Sequence, residues 1–148
     1  MRSMQSALTI ADLKDLARRR VPKMFFDYAD SGSWTEHTYR ANEADFADVR
    51  LRQRVLVDMT NRSLATEMAG EAVAMPVALA PTGLTGMQHA DGEIHAARAA
   101  EAFGVPFCLS TMSICSIEAV VAPGEKAVLV QLFLMGDRRF IVRLLPPA

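Results

Sequence analysis

Apolar residues recur with a helical period through the first third of the chain, and the rhythm changes at Met75. From Thr9 to Arg20, Leu13, Leu16 and Ala17 fall on one face, and Thr9 with Asp12 forms a capping pair at the start. Pro22 suits the first turn of a second helix and Gly32 its end, with Phe25, Tyr28 and Ala29 on one face. Thr35 to about Ala47 predicts a third helix, polar on one side. "RLRQRVLVDM" (Arg50 to Met59) has no clean period and predicts an irregular linker. Leu64 to Val73, broken by "AGE", predicts a short hairpin.

Beyond Met75 the pattern is strand, loop, helix, repeated. "MPVALAP" is a continuous apolar run, as expected of a strand covered on both faces. "DGEIHAARAAEAFG" predicts a helix with Asp91 as its cap, Ile94, Ala97 and Phe103 as packing residues, and Gly104 at its end. "VPFCLS" and "AVLVQLF" predict two more buried strands, with a helix from Ser116 between them and another over "DRRFIVRLL". Such βα repeats with short connections define parallel α/β architecture. One domain is expected, with helices and hairpin over 1–74 and βα units over 75–148. Repeated βα units close either as an open doubly wound sheet or as a (β/α)₈ barrel. "GLTGMQ" (Gly83 to Gln88) carries glycines at only the first and fourth positions of the dinucleotide template, so it gives the open sheet little support.

Composition narrows the classes of function. With 148 residues, 51% of them hydrophobic, the chain can bury a core. A formal charge of −1 and the single basic cluster Arg18 to Arg20 leave no electrostatic footprint for nucleic acid. Cys108 and Cys115 form no CxxC pair and read as reduced thiols, which together with the absence of a transmembrane run predicts a cytoplasmic protein. Nothing in the sequence encodes an anchor, so any contact with the inner membrane is expected to be peripheral.

In either architecture the chemistry collects at the carboxyl ends of the strands. Those ends are "APTG" (Ala80 to Gly83), "LSTMS" (Leu109 to Ser113) and "QLF" (Gln131 to Phe133). They carry hydroxyls, one carboxamide and unhindered backbone, and no charged side chain. This set suits a flat, neutral heterocycle with hydrogen-bonding edges rather than a metal. Thr82 and Ser110 are equally readable as loop-start residues that cap the following helices. Gln131 demands partners, because an amide in a buried strand is costly when unsatisfied. His89, Asp91 and His95 could be drawn as a metal cluster. Asp91 has the simpler role of helix cap, His95 falls on the helix surface, and no metal is expected. His37 is expected on a solvated helix face, and Tyr28 taken alone reads as a core-edge residue.

Taken together, "PKMFFDYADSGSWTEHTYRAN", "LRQRVLVDMTNRS", "MPVALAPTGLTGMQHADGE" and "LSTMSICSIE" resemble the N-terminal part of the FMN-dependent α-hydroxy acid dehydrogenases and oxidases. That family includes L-lactate dehydrogenase and glycolate oxidase. The resemblance implies a (β/α)₈ barrel with FMN across its C-terminal mouth, represented here by about three βα units behind the helical segment. It places Pro81, Thr82 and Gly83 against the flavin ring and Ser110 and Gln131 at its polar edge. It makes Tyr28 the residue whose hydroxyl binds the substrate carboxylate. The implied reaction oxidises an L-2-hydroxy acid, such as L-lactate, to the 2-oxo acid and passes two electrons to FMN.

Two departures bear on activity. Phe133 occupies the position of a family tyrosine that assists at the substrate hydroxyl, which keeps the ring and loses the hydrogen bond. The chain ends in "VRLLPPA" where a third helix would continue, so the family's histidine base, substrate-binding arginine, flavin-side lysine and phosphate loops are expected outside it. The chain alone is then expected to be inactive. It would be a half-barrel whose open edge at Val128 to Leu134 needs a second copy or a complementing C-terminal chain, or else a truncated product.

Overall fold

The computed structural model describes residues 4–122, 128–134, 136 and 139. The chain divides into two compact units, Met1–Arg62 and Ser63–Ala148.

The first unit is helical. After a 3₁₀ turn at Met4–Ser6 come α1 (Ile10–Arg20), α2 (Lys23–Ala29), α3 (His37–Ala44) and a second 3₁₀ turn at Asp45–Asp48. The start of α1 is fixed by a reciprocal cap. Thr9 Oγ1 accepts from the Asp12 amide at 3.2 Å, and Asp12 Oδ2 accepts from the Thr9 amide at 3.1 Å. Leu16 is the buried residue of α1 and Phe26 that of α2. The Arg18 guanidinium stands 5.6 Å from the Phe26 ring centre, a cation–π contact. The packed face of α2 therefore carries Phe26, not Tyr28 and Ala29 as the periodicity suggested, and Tyr28 is 66% exposed. The helix also ends at Ala29, before Gly32. Phe25, equal in size, is half-buried beside Phe26. Lys14, Asp30 and Tyr39 tie α1 to the residues after α2. Lys14 pairs with Asp30 and donates to the Tyr39 hydroxyl at 3.1 Å, and that hydroxyl donates to Asp30 at 3.2 Å. Residues 50–59 form no regular element, and His37 is exposed, both as expected.

The second unit opens with the predicted hairpin, β1 (Thr66–Met68) and β2 (Glu71–Val73), paired antiparallel. Ala69 and Gly70 turn it with φ of 52° and 81°, the two positive values a two-residue type I′ turn requires. Next come α4 (Thr85–Gln88), α5 (Gly92–Phe103), β3 (Cys108–Ser110), α6 (Ile117–Val121) and β4 (Leu129–Gln131). Helix α5 ends on Gly104 at φ 83°, whose amide reaches the carbonyls of Ala100 and Glu101. Ser116 caps α6 through the Ala119 amide at 3.2 Å.

Strand β3 lies in the middle of a parallel arrangement. On one side Leu79 bridges Phe107, with Cys108 N–H donating to Leu79 at 3.0 Å. On the other side β3 pairs with β4 in the register Cys108–Leu129, Leu109–Val130 and Ser110–Gln131. The core gathers Ala97 and Ala100 of α5, Val105, Phe107, Leu109 and Val120 of α6.

Several expectations are corrected. The run Met75–Ala80 contributes one bridge rather than a full strand, and Val77 and Leu79 are 45% and 38% exposed. That exposure means the run is not covered on both faces, and its ladder contact among the described residues is the Leu79–Phe107 bridge. Phe103 is 62% exposed, and Ala100 takes the packing place on α5. Asp91 precedes α5 in a left-handed conformation, φ 55°, and its side chain makes no capping hydrogen bond. In that conformation the carboxylate is turned away from the first-turn amides. Apart from Arg139, the helix expected over 137–145 lies outside the described residues, as do residues 123–127.

Candidate active site

Three chain segments converge at the carboxyl ends of the parallel elements in the second unit. The loop after Ala80 comes first. Its Leu84 amide donates to the Met112 carbonyl at 3.0 Å, which pins it to the loop after β3. Gly83 sits at that contact, where an added Cβ would lie 3.2 Å from Met112 Cβ and 3.8 Å from Ser110 Oγ. Close approach of two backbones explains the small residue there. Thr82 is exposed; its hydroxyl donates to Ala80 at 3.4 Å, and its carbonyl accepts from the Thr85 hydroxyl at 3.0 Å. Pro81 is half-buried beside it.

Ser110 ends β3 and is 4% exposed. Its oxygen accepts from the Met112 amide at 3.1 Å. The hydroxyl thus closes a local turn and does not cap the following helix α6, whose cap is Ser116. The β3–β4 register sets Gln131 level with Ser110. Gln131 is tied in through its main chain, because its carbonyl accepts from the Thr111 hydroxyl. The same Thr111 oxygen accepts from the Phe133 amide at 3.1 Å. One threonine therefore bridges the ends of both strands. Phe133 follows with its ring 43% exposed.

Pro81, Thr82, Gly83, Ser110, Gln131 and Phe133 are brought into one neighbourhood of the second unit. Tyr28 lies in the first unit, exposed near the end of α2.

Two contributors escaped the sequence reading. Thr111 lies within "LSTMS" but carries no mark that separates it from its hydroxylic neighbours. Glu93 reads as an acidic first-turn residue of α5, yet it is 1% exposed. Its Oε1 accepts from the Gly86 amide at 3.1 Å and from the Ile114 amide at 3.0 Å. Burial pushes this carboxyl upward. The amides of Ile114, Glu93 itself and Gly86, with the Cys115 thiol, outweigh that and hold it below the ordinary carboxylate value. Burial and the Glu93 charge push the Cys115 thiol up. The signal that could have found Glu93 is its setting, an acidic residue one step into a helix between two loops of small residues.

The segments lining the strand ends present neutral donors and acceptors on close-packed backbone, a set that fits the planar, hydrogen-bonding ring of a flavin better than an ion. The elements together define a parallel βα protein whose strand ends form the candidate ligand site. The family described as FMN-dependent dehydrogenase matches residues 17–148. L-lactate dehydrogenase of Pseudomonas syringae pv. syringae is 48% identical over 131 residues, 88% of this chain and 34% of that protein. The L-lactate dehydrogenase of Xanthomonas euvesicatoria is 51% identical over the same shares. A soluble mutant of the membrane-associated (S)-mandelate dehydrogenase from Pseudomonas putida superposes with a TM-score of 0.82 at 36% identity, covering 89% of this chain and 37% of that one. The chain belongs to the FMN-dependent dehydrogenase family, and it spans about a third of the length of these curated relatives.

Proposed function

We propose that this chain is the N-terminal part of a (β/α)₈ flavoprotein that oxidises an L-2-hydroxy acid, L-lactate in the first instance, to the 2-oxo acid. One observation carries the reading: the register that sets Ser110 level with Gln131, beside the close-packed Gly83 loop. The similarity to L-lactate dehydrogenases supports the choice of substrate.

In this reading the backbone of Pro81, Thr82 and Gly83 faces the flavin ring, and Ser110 and Gln131 hold its polar edge by hydrogen bonds. FMN supplies a two-electron acceptor for the substrate carbon. Tyr28 binds and orients the substrate carboxylate through its hydroxyl, and its exposure leaves that group accessible. Phe133 presents an apolar ring near the reacting carbon and excludes water without offering a hydrogen bond. The base that takes the hydroxyl proton is supplied outside the residues gathered here, so the isolated chain has no turnover. No helix among the described residues is long and apolar enough to cross a membrane.

The test is a chimera joining residues 1–134 of this chain to the remainder of the Pseudomonas syringae relative. Anaerobic L-lactate should bleach its flavin absorbance, and the loss of that bleaching in Gln131→Ala should track the loss of bound flavin. A folded, flavin-loaded chimera that L-lactate, L-mandelate and glycolate all leave oxidised would overturn the assignment.

A further inference from the structure

We propose that Glu93 is a positioning residue of the strand-end site, a buried carboxylate that clamps the loop after Ala80 to the loop after β3. Its role at the site rests on the flavin reading above; the clamp itself rests on geometry alone.

Four observations converge on it. Glu93 is 1% exposed, although it stands in the first turn of α5 where an acidic side chain ordinarily faces water. One of its oxygens, Oε1, accepts from two amides that are distant in sequence, Gly86 at 3.1 Å and Ile114 at 3.0 Å. Those two residues pack directly on each other. A Cβ added to Gly86 would lie 2.7 Å from Ile114 Cβ, so only glycine lets the segments meet. The other oxygen, Oε2, is buried without a hydrogen-bond partner of normal geometry among the described residues.

A carboxylate buried this deeply carries a desolvation cost, which no first-turn placement requires. The charge-assisted bonds that Oε1 accepts join the two loops across this contact. The Leu84–Met112 backbone bond and the Gly83–Met112 contact lie a few residues along the same seam. Holding Gly86 against Ile114 therefore fixes where the backbone of residues 81–84 stands relative to Ser110. The amides that Glu93 Oε1 holds belong to Gly86 and Ile114 and not to the residues assigned to the flavin, so it acts through the loops.

The experiment is amide hydrogen exchange on the 148-residue chain, comparing wild type with Glu93→Gln and Glu93→Ala. Exchange at Gly86 and Ile114 should accelerate on the order of ten- to a hundredfold in Glu93→Ala, the range of a bond to a charged acceptor. Glu93→Gln should show a smaller acceleration at both, because a neutral carbonyl still reaches the two amides. The Ala100 and Gly104 amides of α5 should keep their rates, which separates a local clamp from general loosening. Should Glu93→Ala fail to fold, the isosteric Glu93→Gln decides alone. FMN affinity should fall about as much as the clamp loosens, with a shift in the visible band of bound flavin, while Glu118→Gln changes neither. Unchanged exchange at Gly86 and Ile114 in a folded variant, or equal acceleration along α5, overturns the proposal. If wild type takes up no flavin while the two amides still respond, the flavin reading fails and the clamp stands.

Discussion

The two units are specified in different ways. The N-terminal unit is specified locally, by the Thr9–Asp12 cap, the Pro22 break and the Lys14–Asp30–Tyr39 cluster, and among its described large apolar side chains it buries only Leu16 and Phe26. The unit from Ser63 onward is specified by packing, with Leu109 at 1% exposure between helices that contribute Ala97, Ala100 and Val120. Local signals set helix ends, whereas a site assembled from three separate loops needs a rigid element behind it. Strand β3 is that element, and the strand-end residues gather at its carboxyl end and those of its neighbours.

This contrast predicts a ranked series of effects. Leu109→Ala empties the best-packed position and should cost about 2–5 kcal/mol in chemical denaturation of the second unit. Proteolysis should show the first unit unchanged; equal loss in both would erase the distinction. Gly86→Ala forces a Cβ into Ile114 and should cost about 1–3 kcal/mol, seen as a lowered denaturation midpoint. Thr9→Ala removes a cap whose effect is confined to α1 and should cost about 1 kcal/mol. A matching loss of protection at Leu109 would mean that the units are not independent.

A smaller effect comes from acid. Glu93 has a folded pKa below its unfolded value, so its contribution is present above the unfolded pKa and is lost as pH falls through the folded one. Protection at the Gly86 and Ile114 amides should fall between about pH 5 and the lower folded pKa. Glu93→Gln should flatten that dependence, and a variant that keeps it would assign the titration to another group. In the chimera, Phe133→Tyr should raise the rate of flavin reduction by L-lactate without a large change in flavin affinity, because it restores one hydrogen bond at the substrate. An unchanged rate would remove Phe133 from the neighbourhood of the reacting carbon.

Helix ends were readable in the sequence where the signal is local, a side chain bonding to adjacent backbone at Thr9 and Ser116 and a glycine free to turn left-handed at Gly104. The hairpin was readable from Ala69 and Gly70, and the parallel architecture from the apolar runs. The strand-end residues stood out because small and hydroxylic residues followed those runs. What escaped depends on tertiary placement. Asp91 looks like a cap, but its left-handed backbone turns the carboxylate away. Val77 and Leu79 look doubly buried, because an apolar run records what a strand can tolerate and not which neighbours it has. Glu93 and Thr111 act through partners about twenty residues away, Ile114 and Gln131. Periodicity carries no trace of such partners.

The most direct test of the central claim is a titration of isotopically labelled chain with FMN, followed through backbone amide resonances. The account predicts weak, saturable shifts concentrated at Thr82 to Leu84, Ser110 to Met112 and Gln131 to Phe133, with little change in the hairpin or in α1. Shifts centred elsewhere, or none at millimolar FMN, would contradict the claim that these strand ends form a flavin site.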